Sequence, residues 1–135
     1  MSIPNIDNIL SEAYTAVFCD VLDDLGYRDQ ALGGNVHPLW PEARLLGTAR
    51  TILVEDVEDA SESPYEVEFS LVDDLVENEI VVAQCGAARA AFWGELLTTA
   101  ALNRGARGAV IDGYCRDVSL VHDLEFPVFA RGMAP

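Results

Sequence analysis

The chain has 135 residues, of which 23 are acidic and 8 basic, and its net charge is −15. This length and a hydrophobic content of 50% suit one compact domain, whereas the acidic excess argues against binding to nucleic acid or an anionic membrane. All eight basic residues are arginine, which excludes a lysine Schiff base, lysine-bound pyridoxal phosphate and a Walker-type phosphate lysine. Carbonyl chemistry would therefore need another electrophile, and a metal ion is the first candidate.

The first half of the chain alternates between periodic and irregular segments. Apolar residues at three- and four-residue spacing predict one helix over residues 7–25, with Gly26 as its stop. Residues 27–43 are rich in turn-forming glycine and proline and are predicted to be irregular, whereas residues 45–54 predict a strand. Residues 55–79 contain eleven acids and no base, and they predict a solvated loop followed by a helix.

The second half has shorter and more regular segments. Apolar runs bounded by glycine or proline predict strands, and three- to four-residue spacing predicts helices. The predicted elements are a strand over 80–85, a helix over 96–102 ending at Arg104-Gly105, a strand over 109–111, a helix over 118–124 and a strand over 127–130. This order predicts an α/β fold with some parallel pairing of strands.

The sequence carries no sign of export or membrane insertion. Its three cysteines are widely separated and odd in number, which favours a reducing compartment over a disulfide framework. The N-terminal segment lacks the basic and apolar regions of a signal peptide, and no apolar run approaches the roughly 20 residues of a membrane helix. A soluble, cytoplasmic protein is expected.

Two short segments are candidates for chemistry. Arg116 and Asp117 follow an apolar strand and open a helix, at a strand end where ligands bind in α/β sheets. Simple helix capping is the more common role for such an aspartate. Asp112 precedes Gly113, and this pair is typical of a turn, with orientation of the Arg116 loop as the alternative.

The other candidate is the predicted helix start Gly94-Glu95-Leu96-Leu97. Free backbone N–H groups at a helix start can bind a carboxylate or phosphate, and glycine permits close approach. A glutamate in the first turn also simply complements the helix dipole. Spacing alone does not choose between these roles.

Four segments together resemble the RraA-like family. They are TAVFCDVLDDLG with Asp20, LLGTARTI, WGELLTTAALNRGARGAVIDGYCRD and FPVFARG. The resemblance spans nearly the whole chain and is most specific from Trp93 to Arg131. It implies an α/β fold, a layered α/β/α-type domain with a central mixed sheet of the swivelling β/β/α type. Family members continue past FARG with further strands, so residues 1–135 are expected to form a single domain that lacks its C-terminal strands.

The resemblance also implies a role for each site residue. Asp117 would be the direct protein ligand of Mg²⁺ or Mn²⁺, and Arg116 would contact a bound 2-oxo acid and balance charge on its enolate. Glu95 would face the water shell of the metal, where it is a candidate relay for the general base. The carboxylate of the substrate would be bound at the helix start formed by Gly94, Glu95, Leu96 and Leu97.

The family includes metal-dependent 4-hydroxy-4-methyl-2-oxoglutarate aldolases that also decarboxylate oxaloacetate. The resemblance thus implies a carbon–carbon lyase of the class II, metal-dependent kind, which releases pyruvate through a metal-stabilised enolate. The family also contains regulators of RNase E, which lack the aspartate equivalent to Asp117, so its presence favours the enzyme branch. The alternative is a non-catalytic regulator that binds a ribonuclease or another protein through its acidic surface.

The expected partners follow from the same resemblance. A small 2-oxo acid is the expected substrate, and neither nucleic acid nor a membrane is expected as a partner. In family members the C-terminal strands contribute to trimer contacts, so a homotrimer or a dimer of trimers is expected if the full-length chain is present.

Overall fold

The computed structural model describes residues 5–55, 65–87 and 89–135. Helices and strands alternate along most of the chain, as expected for an α/β protein. In chain order they are α1 (Ile6–Glu12), α2 (Thr15–Asp24), β1 (His37–Pro38), β2 (Thr48–Leu53), α3 (Glu66–Asp73), β3 (Glu79–Gln84), β4 (Ala91–Trp93), α4 (Glu95–Asn103), β5 (Gly108–Cys115), α5 (Val118–Asp123) and β6 (Val128–Met133).

The strands form one mixed sheet. Its order is β1-β6-β5-β3-β2, and β4 pairs with the far end of β5. The pairs β2–β3, β3–β5, β4–β5 and β5–β6 are parallel, and β1 is antiparallel to β6. The predicted α/β fold with a central mixed sheet is therefore confirmed.

Helices α3, α4 and α5 pack on one face of this sheet. Alternate residues of β3 and β5 point into the space below the helices, as the two-residue period of a strand requires. Apolar burial there is the main stabilising contribution to the fold. The core contains Val81 and Ala83 of β3, Ala109 and Ile111 of β5, Val72 of α3, Ala101 of α4 and Val121 of α5.

The other face of the sheet is less completely covered. A groove of about 600 Å³ lies between the segment around Leu32 to Val36 and the outward residues of β2, β3 and β5. Leu53, at the end of β2, is 62% exposed beside it. The polar end of this groove is formed by Gln84 and Asp112.

The single helix predicted over residues 7–25 is wrong, because the chain forms two helices. Ala13 and Tyr14 both have extended backbone conformations between α1 and α2. The side chain of Arg44 donates a hydrogen bond to the Ala13 carbonyl, which a continuous helix would offer to the N–H of Val17. That N–H donates to Tyr14 instead, at 3.0 Å. A tertiary contact therefore divides a segment whose apolar period is continuous.

The predicted turn at Asp112-Gly113 is also wrong, because β5 continues through both residues to Cys115. Gly113 is buried, and a Cβ atom placed on it would lie 2.7 Å from Cβ of Cys85. This glycine thus permits close packing of neighbouring strands, and a turn is not its role.

The other predicted helices and strands are present in the structure. The helices predicted over 96–102 and 118–124 correspond to α4 and α5, and the predicted helix at the end of the acidic stretch corresponds to α3. The predicted strands correspond to β2, β3, β5 and β6, whereas the short strands β1 and β4 were not predicted. The solvated loop predicted in the acidic stretch falls largely on residues 56–64, outside the described residues.

No helix within the described ranges is both long enough and apolar enough to cross a membrane.

Candidate active site

The two candidate segments leave the sheet side by side. Strand β4 ends at Trp93 and pairs in parallel with the end of β5, where Trp93 lies opposite Cys115. The N–H of Arg116 donates a hydrogen bond to the carbonyl of Trp93 at 2.9 Å. Because both strands end at the same edge, the start of α4 and the start of α5 are adjacent, as at ligand sites of α/β sheets.

Gly94 lies directly against Arg116 and Asp117. A Cβ atom built on Gly94 would lie 2.9 Å from Cγ of Arg116 and 3.0 Å from Oδ2 of Asp117. The backbone of Gly94 is extended, with φ at −165°, so any residue could adopt its conformation. Glycine is therefore required here for space, because the side chains of Arg116 and Asp117 occupy the position of a Cβ.

Asp117 occupies the N-cap position of α5 but makes no side-chain cap hydrogen bond. The simple capping role is thus not met in the structure. Its φ is +53°, a left-handed conformation that is sparsely populated by residues with side chains and is often found at functional sites. The carboxylate is 42% exposed, and its Oδ2 lies 3.6 Å from Nε of Arg116. A partly exposed carboxylate thus lies next to the guanidinium group of Arg116.

Glu95 begins α4 beside this pair. Its Oε1 accepts a hydrogen bond from the Thr99 hydroxyl at 2.9 Å, which fixes the carboxylate over the first turn. Leu96 is 73% exposed and Leu97 half-buried, so the outer side of this turn is open to solvent. The first N–H groups of an α-helix have no intrahelical acceptor, and Gly94 supplies no side-chain cap. The first turn of α4 can therefore receive an anion.

A buried hydrogen bond supports the start of α4 from below. The indole Nε1 of Trp93 donates to the hydroxyl of Thr98 at 2.9 Å, and both residues are fully buried. The Trp93 ring also stacks on Phe126, with ring centroids 6.0 Å apart. These contacts hold the residue whose carbonyl receives the N–H of Arg116.

The thiol next to the site is inert. Burial, and then the negative charge of Asp117, raise the pKa of Cys115 from its ordinary value of 9.0 to about 12. Both effects disfavour the thiolate form that would act as a nucleophile.

Sequence reasoning missed the partner of Asp112. In the structure Nε of Arg131 donates to Oδ1 of Asp112 at 2.6 Å, and Nη1 of Arg131 donates to the carbonyl of Gly86 at 2.8 Å. The hydrogen bond to Asp112 raises the pKa of Arg131. The two residues are on neighbouring strands and 19 positions apart, so no local spacing pattern reveals their contact. The side chain of Asp112 is therefore bonded to Arg131 and not to the Arg116 loop.

The donor set suits one kind of metal ion. Across residues 5–55, 65–87 and 89–135, no three histidine, cysteine or acidic side chains converge on a point, which disfavours a fully protein-ligated ion such as structural zinc. The side chain of Asp117 is 42% exposed, and its Oδ2 packs against Gly94 where a larger residue would clash with it. Mg²⁺ and similar hard cations keep several waters and often take one or two carboxylates, so these residues fit such an ion.

Comparison with known proteins decides the family. The model of the RraA-like family, described as Aldolase/RraA, matches residues 15–135. The chain belongs to the RraA-like family. The similarity covers both candidate segments, so the paired strand ends lie inside the family domain.

Two relatives resemble most of this chain and are themselves longer. The chain is 27% identical over 133 residues to Protein DlpA of Legionella pneumophila, covering 98% of this chain and 21% of DlpA. It is 30% identical over 118 residues to a putative 4-hydroxy-4-methyl-2-oxoglutarate aldolase of Halalkalibacterium halodurans, covering 87% of this chain and 52% of that protein. It therefore spans about half, or less, of the length of these relatives.

Solved structures show the same fold. The structure of Streptomyces coelicolor RraAS2, described as an unusual member of the RNase ES inhibitor RraA protein family, matches with a TM-score of 0.82 and 25% identity. The match covers 98% of this chain and 65% of that one. The family thus contains both aldolase-type enzymes and regulators.

Proposed function

We propose that this RraA-like chain is a divalent-metal-dependent carbon–carbon lyase that acts on short 2-oxo acids. The observation that carries the proposal is the packing of Gly94 against Arg116 and Asp117. It brings an accessible carboxylate, a guanidinium group and an open helix start to one edge of the sheet. Substrates of the 4-hydroxy-4-methyl-2-oxoglutarate type, and oxaloacetate, have an anionic and a carbonyl group that such a site can bind together.

The substrate carboxylate is assigned to the first turn of α4. The free amides of Leu96 and Leu97 would donate to it, and the helix dipole would favour its charge. Arg116 would contact the 2-oxo acid from the other side and balance the negative charge that develops on the keto oxygen as a carbon–carbon bond breaks. Trp93 and Thr98 hold this turn in place without touching the substrate.

Asp117 would hold Mg²⁺ or Mn²⁺, because its side chain is 42% exposed and lies beside the start of α4. When bound, the metal supplies electron withdrawal from the keto group, the role that an amine plays in lysine-dependent aldolases. The chain has no lysine and so depends on this kind of assistance.

Glu95 is proposed to accept a proton through a water molecule. Aldol cleavage requires removal of the proton from the substrate hydroxyl, whereas decarboxylation of oxaloacetate does not, since carbon dioxide leaves without it. The bond from the Thr99 hydroxyl to Oε1 fixes the carboxylate and leaves Oε2 for the water. One site would then support both reactions, and Glu95 would matter for only one of them.

Pyruvate release tests the proposal. Purified protein is assayed with oxaloacetate and with 4-hydroxy-4-methyl-2-oxoglutarate, with Mg²⁺ or Mn²⁺, and again after treatment with EDTA. Metal-dependent release that EDTA abolishes and added metal restores supports the lyase. Release that is absent under all conditions, or unaffected by EDTA, contradicts it.

A non-catalytic regulator is the second candidate. The similarity to RraAS2 favours it, as does the strongly acidic surface, which includes Glu66, Asp73 and Asp74 on and after α3. Such a surface suits a basic protein partner. Retention of a ribonuclease in a pulldown, with no heat of metal binding by calorimetry, would support this role over the lyase.

Assembly as a homotrimer or a dimer of trimers is a further part of the proposal. Helix α2 has no buried residue, and its apolar side chains Val17, Phe18 and Val21 are between 38% and 53% exposed. Burial of this apolar surface between subunits would stabilise an oligomer. Sedimentation velocity measures the assembly directly.

A further inference from the structure

One guanidinium group connects β6 with β5 and with the residues that follow β3. Arg131 of β6 donates from Nε to Asp112 of β5 at 2.6 Å and from Nη1 to the carbonyl of Gly86 at 2.8 Å. Gly86 lies two residues beyond the end of β3 and has a left-handed φ of +53°. The planar fork of arginine can make two such bonds at once, which a lysine ammonium on its flexible stem does not reproduce.

The backbone pairing is irregular where this contact occurs. The register between β5 and β6 shifts between Ile111 and Tyr114, and the register between β4 and β5 shifts between Ala91 and Trp93. Asp112 lies inside the first of these irregularities. Bulges of this kind interrupt the ladder of hydrogen bonds and redirect side chains, often beside functional sites. A side-chain contact thus joins the strands where the backbone ladder is interrupted.

The segment that Arg131 holds leads directly to the candidate site. The chain from Gly86 to Ala90 connects β3 to β4, and β4 is only three residues long before Gly94. At its two ends β4 is bonded from the Ala91 N–H to the carbonyl of Pro135 at 3.1 Å and from the N–H of Arg116 to the Trp93 carbonyl. These bonds hold β4 from β5 and from Pro135, and the bond from Arg131 to Gly86 holds the chain that leads into β4.

We infer that Asp112 and Arg131 are positioning residues, which hold the connection that places Gly94 against Arg116 and Asp117. This inference rests on the proposed function for its effect on the reaction. Neither residue is placed on the substrate. Because the start of α4 is assigned to the substrate carboxylate, a loosened connection weakens substrate binding more than it slows the bond cleavage that follows.

Hydrogen exchange of the substrate-free protein tests whether Arg131 holds the connection, because amide protection can be measured independently of enzymatic activity. The amides of Ala91 and Arg116 report on β4, and the amide of Thr48, bonded to the Asn78 carbonyl at 3.0 Å, reports on the opposite edge of the sheet. In Arg131→Gln we expect exchange at Ala91 and Arg116 to rise about tenfold, with exchange at Thr48 unchanged. In Arg131→Lys we expect a smaller rise, since the charge is kept and the second bond is lost.

Arg104→Gln is the matched control. Arg104 also forms an ion pair of 2.6 Å, with Asp73, but both side chains are more exposed and the pair joins α3 to the end of α4. This variant should exchange like the wild type at Ala91 and Arg116. Unchanged exchange at these amides in Arg131→Gln, or an equal rise at Thr48, would overturn the inference.

Kinetics with oxaloacetate complete the test. Arg131→Gln should raise KM about tenfold and change kcat by no more than about twofold, because mainly the binding geometry is lost. A loss of folded protein alone would lower the apparent kcat and leave KM unchanged, and that result contradicts positioning. Wild-type protein without lyase activity would refute the proposed function, whereas the exchange result would still decide whether Arg131 holds the connection.

Discussion

Gly94 lies against Asp117 so closely that a methyl group on Gly94 would lie 3.0 Å from Oδ2 of the carboxylate. The side chains of Arg116 and Asp117 therefore occupy the volume that a side chain on Gly94 would need. Two residues that are far apart in sequence form one surface because β4 and β5 end together. The proposed chemistry depends on this close packing.

The first prediction concerns Gly94→Ala. The new methyl group displaces Arg116 and Asp117, and a displacement of about 1 Å at a reacting centre can cost roughly 100-fold in rate. We expect kcat/KM for oxaloacetate to fall by about 100-fold, with little change in melting temperature because both displaced side chains are exposed. Gly34→Ala is the control, since a Cβ there meets no atom within 4 Å. Equal activity in Gly94→Ala and the wild type would argue against the site.

The second prediction concerns the support below α4. Thr98→Val keeps the shape of the side chain but leaves the buried Nε1–H of Trp93 without its acceptor. An unsatisfied buried donor costs about 1–3 kcal/mol, and we expect the free energy of unfolding to fall by that amount in urea titrations. Thr51→Val, at an exposed position of β2, should change it by less than about 0.5 kcal/mol. Equal stability of the two variants would show that the Trp93 bond contributes little.

Sequence patterns predicted the elements of the last third of the chain well. Helix α4 has a clear apolar period and ends before Gly105, which adopts the left-handed conformation typical of a helix end. The first third was predicted less well, because the division of α1 from α2 coincides with a contact from Arg44 that no local pattern contains. Strand β4 is too short to give a period of its own.

The candidate site was predicted only in part from the residues themselves. Helix-start and strand-end patterns picked out Gly94 and Asp117 separately, and the family resemblance implied that they act together. The contact between them follows from the pairing of β4 with β5, which was not predicted. Arg131 had no assigned role, because its partners are reached only through the sheet.

The third prediction separates the two reactions. Glu95→Gln keeps an oxygen that can accept the hydrogen bond from Thr99 but removes the carboxylate that accepts a proton. We expect aldol cleavage of 4-hydroxy-4-methyl-2-oxoglutarate to fall by about 100-fold, whereas oxaloacetate decarboxylation changes by less than about threefold. Both rates are measured as pyruvate release on the same preparation. An equal loss of both activities would assign Glu95 to binding and remove it from proton transfer.

The fourth prediction concerns alkaline pH. Burial, and then the charge of Asp112, raise the pKa of Cys85 from 9.0 to about 11, and burial raises that of Cys115 to about 12. Above pH 9 the unfolded chain loses these protons while the folded chain keeps them, so stability falls as pH rises. The stability contributed by the two protonated thiols is fully present below pH 9, and it is lost as the pH rises through about 11 and about 12.

Urea titrations between pH 8 and pH 11 measure this loss. A Cys85→Ala, Cys115→Ala double variant should show a weaker fall in the free energy of unfolding over that range. A thiol reagent at pH 8 should modify Cys19, which is partly exposed, well before the two buried thiols. Rapid modification of all three in the folded protein would contradict the assigned burial.

Direct metal binding is the closest test of the central claim, that Asp117 beside Gly94 holds a divalent cation. Mn²⁺ is titrated calorimetrically into EDTA-treated, desalted wild-type protein and into Asp117→Asn. Asp123→Asn is the control, because Asp123 is a more exposed carboxylate on the same short helix. We expect the wild type and Asp123→Asn to bind Mn²⁺ alike, and Asp117→Asn to bind at least about 100-fold more weakly. Equal affinity in Asp117→Asn, or no binding by the wild type, would contradict the claim.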